Sequence, residues 1–238
     1  MRMRSETTGL SRWPWVIGGT AALVIGGVVL YRQAAPTNTP APASSSSVTP
    51  APEASGAASG AGDDDPGVAP TGCLGGLDRN STMVLSAQKE APHTTYGAVE
   101  VATAFYRFIW QTPFPQPGEL ASVSDSIISS SAASSSFKDL AGSYASVPDI
   151  TGGVVPRGSQ FHLSTTNGLW AVSPDSTSDN VVVHIATGYV IDGALSPTKV
   201  AGIGFQMTWS DGAWHVVAGA LLDQTLITSG GVRFTGGC

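Results

Sequence analysis

The side chains in this sequence that could transfer a proton are few and far apart. Five are candidates for general acid or base catalysis: Tyr106, Asp125, His184, Asp192 and His215. A carboxylate that acts as a base needs burial or a neighbour to bring its pKa toward working pH. The sequence places no two of the five within reach of each other. We therefore predict that the two histidines are partly exposed strand residues or satisfied core residues, and that the chain is not an enzyme.

Metal and cofactor chemistry is equally poorly supported. The four histidines, His93, His162, His184 and His215, have no paired or i,i+4 spacing that would predict a metal site. The sequence contains no G-x-S-x-G, H-E-x-x-H or P-loop motif. We read the acidic run at residues 63–65 as solvated rather than as a Ca²⁺ site. The sequence therefore predicts no metal and no cofactor.

The two cysteines, Cys73 and Cys238, stand at opposite ends of the last segment of the chain. An isolated pair in an oxidising compartment is most simply a disulfide, and we predict that bond here. Two free surface thiols are the alternative. A zinc site is disfavoured because neither residue belongs to a C-x-x-C pair.

The charge of the chain argues against nucleic acid as a partner. The formal net charge is −6, and the charged residues make up only 12% of the chain. A nucleic-acid-binding protein usually carries a basic patch interleaved with aromatic residues. No such patch occurs here, so we expect no direct contact with nucleic acid.

An uncharged apolar stretch near the N-terminus is long enough to cross a membrane. It reads WVIGGTAALVIGGVVLY from Trp15 to Tyr31, and aromatic residues mark both of its ends. Basic residues are more frequent before this stretch than after it, which favours a cytoplasmic N-terminus. We predict a cytoplasmic segment at 1–14, a transmembrane helix at 15–31 and an extracytoplasmic remainder of a single-pass protein of the cell membrane.

A cleaved signal peptide is the alternative to this anchor. The best cleavage position lies near Ala34 and Ala35, but the apolar stretch is longer than a usual signal-peptide core. The small residues Gly18, Ala22 and Gly26 recur at four-residue spacing, which permits close association of such helices and leaves a homo-oligomer open.

Residues 32–72 are rich in Pro, Ala, Ser, Thr and Gly. Such a composition cannot bury enough apolar surface to offset the entropy of ordering. We predict a disordered linker that would span about 30–35 Å. The linker would hold residues 73–238, the predicted folded domain, near the membrane.

The domain changes its hydrophobic period from helical to alternating along the chain. We predict a short strand at Thr82–Leu85, a long apolar helix at Tyr96–Gln111 and one or two shorter helices within residues 119–146. About five strands then follow, the last two joined by a Ser-Asp-Gly turn into an antiparallel hairpin. Their predicted bounds are Ser159–Thr165, Leu169–Val172, Asn180–Ile191, Val200–Trp209 and Ala213–Ala220. The Gly-rich end should return to the start of the domain, where Cys238 would meet Cys73.

This order of elements resembles the nuclear-transport-factor-like, or cystatin-like, cone, in which a curved antiparallel sheet wraps a long helix. The segment Met207–Val216, MTWSDGAWHV, is similar to the final hairpin of that family. The segment His93–Ala102, HTTYGAVEVA, resembles membrane proteins of actinobacterial conjugative elements. The full layout is similar to the bitopic scaffold subunits of type IV secretion machines.

The resemblance implies an α+β cone whose role is protein–protein contact within a secretion or conjugation apparatus, with other envelope proteins as partners. The same cone also hosts small isomerases and cyclases, so a tethered enzyme or ligand-binding protein is the second hypothesis. A secreted or wall-associated domain released by signal cleavage is the third. Tyr106 and Tyr189 are expected to pack in the core with their hydroxyls at its rim.

Overall fold

The computed structural model describes residues 68–132, 135–147 and 149–238 of the 238-residue chain. The predicted cytoplasmic segment, the predicted transmembrane helix and most of the predicted linker lie outside these residues. Within the described ranges, no helix combines the length and apolar character that crossing a bilayer requires.

The domain is α+β, as predicted, and in the described residues its helices precede most of the sheet. The helices are α1 (Ser81–Glu90), α2 (Thr95–Ile109), α3 (Pro117–Ile127), α4 (Ser135–Lys138), α5 (Leu140–Ser146) and α6 (Gln224–Gly230). The strands are β1 (Phe161–Val172), β2 (Asn180–Ile191), β3 (Ala194–Ser210), β4 (Ala213–Ala220) and β5 (Val232–Arg233).

The strands form one curved, unclosed antiparallel sheet with the order β4-β3-β2-β1-β5. The alternating apolar residues that predicted β2, β3 and β4 face inward: Val183, Phe205 and Val216 are fully buried. The bounds predicted for β2 and β4 are confirmed. Strand β3 starts earlier than predicted, at Ala194.

Helix α2 fills the inner side of the sheet. The Thr94 hydroxyl accepts a hydrogen bond from the Gly97 amide at 3.1 Å, which caps the helix where the sequence predicted a cap. The helix contacts β1, β2, β3 and β4, and every residue from Gly97 to Ile109 is buried. These contacts and this burial confirm the prediction of a long helix enclosed by a curved sheet.

The strand predicted at Thr82–Leu85 is wrong, because this segment belongs to α1. The Asn80 side chain accepts from the Met83 amide at 2.9 Å and begins the helix. Met83, Val84 and Ala87 are buried at helical spacing. The short apolar run alone does not distinguish a strand from a helix, and the cap decides for the helix.

The two strands predicted at Ser159–Thr165 and Leu169–Val172 are one strand, β1. The predicted turn at Asn167-Gly168 is a β-bulge, where the pairing with β2 shifts register between Ser164 and Leu169. Asn167 adopts φ 58°, a left-handed conformation that asparagine tolerates. The bulge keeps the strand paired on both sides of the irregularity.

The region predicted to hold one or two short helices holds three, α3, α4 and α5. Helix α3 begins at Pro117, a residue that suits the first turn of a helix. Glu119 stabilises this start, because its carboxylate accepts a hydrogen bond from the Gln116 amide at 3.2 Å. The predicted break in the serine-rich run falls between α3 and α4.

The chain after β4 returns to the start of the domain, as predicted. It forms α6, which the sequence analysis missed, and the Asp223 carboxylate caps it by accepting from the Leu226 amide at 2.8 Å. The Thr235 amide then donates to the Pro70 carbonyl. Cys238 lies beside Cys73, and the predicted disulfide between them is present, with a Cα–Cα distance of 5.9 Å.

Candidate functional site

The space between α2 and the sheet, where a cone would hold a pocket, is occupied by aromatic side chains. Phe105 and Tyr106 on α2 pack against Phe205 on β3, with ring centroids 5.6 and 5.9 Å apart. The Trp110 indole N–H donates to the Tyr189 hydroxyl at 2.9 Å. Tyr106 and Tyr189 are therefore packing residues, as predicted, but both residues are fully buried in the core, and their hydroxyls do not lie at its rim.

Burial raises the pKa of both phenols. The pKa of Tyr106 lies well above its usual value because the ring is desolvated. Desolvation raises the pKa of Tyr189 to about 12. Neither hydroxyl is suited to give up a proton near neutral pH.

His184 lies on the outer face of the sheet, which is the face away from α2, and it forms the most enzyme-like contact in the described residues. Its Nε2 lies 2.9 Å from the Ser173 hydroxyl, and its Nδ1 accepts a hydrogen bond from the Asp223 amide at 3.1 Å. Only 4% of the residue is exposed. Burial lowers the pKa of His184, against the opposing charges of Asp223 and Asp175.

The arrangement has the wrong tautomer for a serine nucleophile. A catalytic histidine donates from Nδ1 to a carboxylate and accepts the serine proton at Nε2. Here Nδ1 accepts from a backbone amide, so the proton of the neutral ring is on Nε2 and is donated to Ser173. His184 thus joins β2 to the end of β1 and to the start of α6.

We expect a fluorophosphonate probe to leave Ser173 unmodified, because its hydroxyl accepts a hydrogen bond from the His184 Nε2–H, and the ring therefore cannot take the serine proton. Intact-mass measurement of the folded chain checks this. An adduct that mapped to Ser173 and vanished in Ser173→Ala would contradict the structural role of the pair.

The structure brings two of the five predicted acid–base candidates together. Asp125 and His215 line one open cleft of about 430 Å³, with Lys138 and Asp211 on its other walls. The remaining lining is largely the serine-rich segment around Ser129. The cleft is polar and open, which suits a small polar ligand better than an apolar one.

Both nitrogens of His215 already have partners. Its Nδ1 lies 3.5 Å from the Gln88 amide nitrogen, and its Nε2 lies 3.2 Å from the Ser210 carbonyl oxygen. Since the carbonyl can only accept, Nε2 carries the proton. The ring is therefore held by the fold in the same way as His184.

The other predicted candidates lie elsewhere. Asp192 occupies the β2–β3 turn at φ 49°, and its carboxylate accepts from the Gln160 amide at 2.9 Å. His93 stacks on Trp209 with centroids 4.4 Å apart and pairs with Asp179 at 2.7 Å. No group of three or more metal-ligating side chains occurs in the part of the chain that the structure describes.

His162 gives the stability of the domain a pH dependence. Burial, with the charges of Arg79 and Arg107 nearby, lowers the pKa of His162 to about 4. An unfolded histidine titrates near about 6.5, so the unfolded state binds the proton first as the pH falls. The contribution of His162 is complete above that value and is lost between pH 6.5 and 4.

We therefore expect His162→Gln to flatten the fall in unfolding free energy over this pH interval. Urea unfolding at a series of pH values measures the slope. Part of the slope should remain, because the lowered pKa of His184 acts in the same direction. An unchanged slope in His162→Gln would contradict the assignment.

Two polar side chains of α2, Glu100 and Arg107, form a buried polar site that the sequence analysis did not assign. The Glu100 carboxylate accepts from the Thr71 amide at 2.5 Å and from the Gly72 amide at 3.2 Å. It also accepts from the Leu74 amide at 3.4 Å. One buried carboxylate thus holds the segment that carries Cys73.

Arg107 lies two helical turns after Glu100 on α2. It binds the carbonyl groups of the same segment. Its guanidinium donates to Gly72, Gly76 and Leu77 at 3.2–3.3 Å. The side chain is fully buried, and burial, with the charge of Arg79, lowers its pKa to about 10. We call Glu100 and Arg107, with residues 71–77, the N-terminal clamp.

A second cleft, of about 340 Å³, lies beyond the C-terminal end of α2. Phe114, Ile150 and Phe161 line part of it, and Arg157 also contributes to its lining. The Asp149 carboxylate is engaged by the amides of Thr151 and Gly153. No acid–base candidate from the sequence lies in this cleft.

Comparisons with protein-family models, with curated proteins and with solved structures found no match to this chain. The function must therefore be inferred from its own residues.

Proposed function

We propose that this chain is a membrane-anchored extracytoplasmic scaffold that binds other envelope proteins of a conjugation or secretion apparatus. In this proposal residues 1–14 are cytoplasmic, residues 15–31 span the membrane and residues 32–72 tether the domain. The domain is chemically inert and acts through its surface.

The Cys73–Cys238 disulfide is the observation that carries the proposal. Protein disulfides persist in oxidising compartments and are rare where thioredoxin and glutathione keep thiols reduced. The bond agrees with the charge asymmetry around residues 15–31, which independently favours an extracytoplasmic domain. Two unrelated features of the chain thus favour the same side of the membrane.

The position of the chain ends also supports a tethered scaffold. The Thr235 amide donates to the Pro70 carbonyl, and the disulfide joins the C-terminal residue to Cys73. The linker therefore meets the domain beside Thr235 and Cys238.

The finer fold that we propose is the cystatin-like cone. A long helix, shorter helices and a sheet whose last long hairpin is β3–β4 occur in the order of that family. Helix α1, helix α6 and the disulfide are additions to this plan. The aromatic filling of the space between α2 and the sheet favours an interaction role over an isomerase or cyclase.

A tethered ligand-binding protein is the second candidate, and the cleft that contains Asp125 and His215 favours it. Its opposite charges, Lys138 and Asp211, would suit a small zwitterionic or polar ligand. A thermal shift of the full chain with amino acids and other small polar molecules tests this function. A shift that Asp125→Asn removed would support it, and no shift with any of them would dismiss it.

Labelling in intact cells tests the topology. A cysteine at Ser55 in the linker should react with a membrane-impermeant maleimide, and one at Ser5 should react only after lysis. The matched native thiols, Cys73 and Cys238, should stay unreactive until the protein is reduced. Free native thiols in cells, or equal labelling at both positions, would overturn the proposal.

Affinity capture from cross-linked, solubilised membranes tests the scaffold role. Other envelope components should be recovered with the full chain, and mass spectrometry would identify them. Recovery of only the chain itself would count against a scaffold. N-terminal sequencing of the mature protein distinguishes an anchor, with its N-terminal segment intact, from a product that begins near Ala34.

A further inference from the structure

The cleft beyond the C-terminal end of α2 has apolar walls. Ile150, Val155 and Phe161, which line part of it, are only 4–7% exposed. Phe114 also lines the cleft, and its ring packs on the Tyr144 ring of α5 with centroids 4.8 Å apart. The volume of about 340 Å³ and this lining match the clefts in which proteins bind small molecules. We call this space the α2-end cleft.

The chain between α5 and β1 forms one wall of the α2-end cleft and is held in place by its own hydrogen bonds. The Asp149 carboxylate accepts from the Thr151 amide at 2.9 Å, from the Thr151 hydroxyl at 2.7 Å and from the Gly153 amide at 2.8 Å. The Lys199 ammonium group donates to the Val154 carbonyl at 2.6 Å, which joins this wall to β3. The cleft is therefore already formed in the free chain.

The Asp149 carboxylate is charged and keeps one position for a further donor. A carboxylate offers about four lone-pair sites, and the hydrogen bonds from Thr151 and Gly153 use all but one of them. The unused site is on Oδ2, which accepts only from Gly153. The hydrogen bond from the Thr151 hydroxyl is the main cause that lowers the pKa of Asp149, so this group is ionised at neutral pH.

Arg157 lines the same cleft, and its guanidinium forms no hydrogen bond or ion pair within the part of the chain that the structure describes. Its charge contributes to the lowered pKa of Asp149, so the two groups lie near each other without being paired. The guanidinium therefore has all its N–H donors available, in a geometry that suits a carboxylate.

These two groups restrict which ligand the α2-end cleft can hold. Asp149 and Arg157 are the only charged residues among the described residues that line it. A ligand that is only anionic would be repelled by Asp149, and a ligand that is only cationic would be repelled by Arg157. A ligand that carries both an ammonium group and a carboxylate complements both charges. The apolar walls suit an uncharged side chain on that ligand.

We infer that the α2-end cleft binds a free α-amino acid with an apolar side chain. The ammonium group of the ligand would donate to Asp149, and its carboxylate would bind Arg157. The side chain of the ligand would pack on the apolar walls. This inference goes beyond the proposed scaffold function and does not depend on it. The site is also separate from the cleft that contains Asp125.

Calorimetric titration of the full chain in lipid nanodiscs with L-phenylalanine tests the inference. We expect saturable binding of one molecule per chain. Phenylalanine amide has the ammonium group but no carboxylate, and N-acetyl-phenylalanine has the carboxylate but no ammonium group. Each should bind at least about tenfold more weakly, because it leaves one charged group of the cleft without its partner.

Arg157→Gln identifies the site. It should weaken the binding of L-phenylalanine about tenfold and leave that of phenylalanine amide unchanged, so the preference for the free acid disappears. Because Arg157 is exposed, the substitution should leave the fold intact. The matched control Arg233→Gln removes another exposed arginine, which lies on β5, and it should retain full affinity for L-phenylalanine.

Three results would overturn the inference: no saturable binding of L-phenylalanine or L-leucine, equal affinity for the amide, or an affinity that Arg157→Gln does not change. Binding that Asp125→Asn abolished would place the amino acid in the other cleft and would also overturn it. None of these results bears on the scaffold proposal, because the capture of envelope proteins does not require a bound amino acid.

Discussion

Replacement of both Cys73 and Cys238 by alanine is expected to lower the free energy of unfolding by about 2–5 kcal/mol. The disulfide closes a loop with a sequence separation of 165 residues, and a long loop loses much unfolded-state entropy when it is cross-linked. Chemical denaturation of the full chain under oxidising conditions, compared with the Cys73→Ala/Cys238→Ala variant, measures the loss.

The control for this prediction is the reduced wild-type protein, which should unfold at the same denaturant concentration as the double variant. Any difference between them would come from the substituted side chains and not from the bond. If the oxidised wild type were no more stable than the double variant, the disulfide would have no part in holding the domain.

Arg107→Met should cost about 3–5 kcal/mol of unfolding free energy. The substitution keeps much of the buried volume but removes the donors that bind three carbonyl groups of residues 72–77. It also leaves the Glu100 carboxylate buried without the nearby positive charge. Both effects fall on the N-terminal clamp, and thermal unfolding with near-UV circular dichroism would report them.

Lys89→Met provides the matched control, because Lys89 is an exposed cation on α1 and its loss should change stability by less than about 0.5 kcal/mol. Arg107→Met should also couple to the disulfide, since both fix the same segment. In the Cys73→Ala/Cys238→Ala background we expect a non-additive effect, measured by a double-mutant cycle. Purely additive losses would show that the clamp and the disulfide act separately.

Much of the fold followed from local patterns. Helix α2 was predictable because a threonine cap precedes an apolar run and prolines follow it. Strand β2 was predictable because apolar residues alternate at Val181, Val183 and Ile185 and again at Tyr189. In both elements, the secondary structure that the local sequence favours also places the apolar residues on the buried face.

The incorrect predictions concern segments whose secondary structure depends on tertiary contacts. The segment at Thr82–Leu85 is too short for its period to be read, and the Asn80 cap makes it a helix. The turn predicted at Asn167 would end the strand only if pairing did not resume after it. Pairing does resume, because β2 continues alongside from Leu169 onward. Helix α6 has weak propensity and follows from the Asp223 cap and its position over β1.

The candidate site was predictable only in part. The Cys73–Cys238 pair followed from cysteine count and topology, without knowledge of the fold. The joint cleft of Asp125 and His215 did not, because they lie on α3 and β4, which are far apart in sequence. Glu100 and Arg107 lie two helical turns apart on the predicted helix, but their partners are backbone groups, and the order of side chains in a sequence does not identify such partners.

The disulfide between Cys73 and Cys238 has a mechanical consequence. In the proposed arrangement, tension on the linker would reach Cys73 and pass through a covalent bond to Cys238, whose backbone is bonded to Thr165 of β1. The pulling force would then be shared by a strand of the sheet instead of peeling the first residues from α2. A scaffold that is strained between a membrane and a moving assembly could carry load in this way without unravelling.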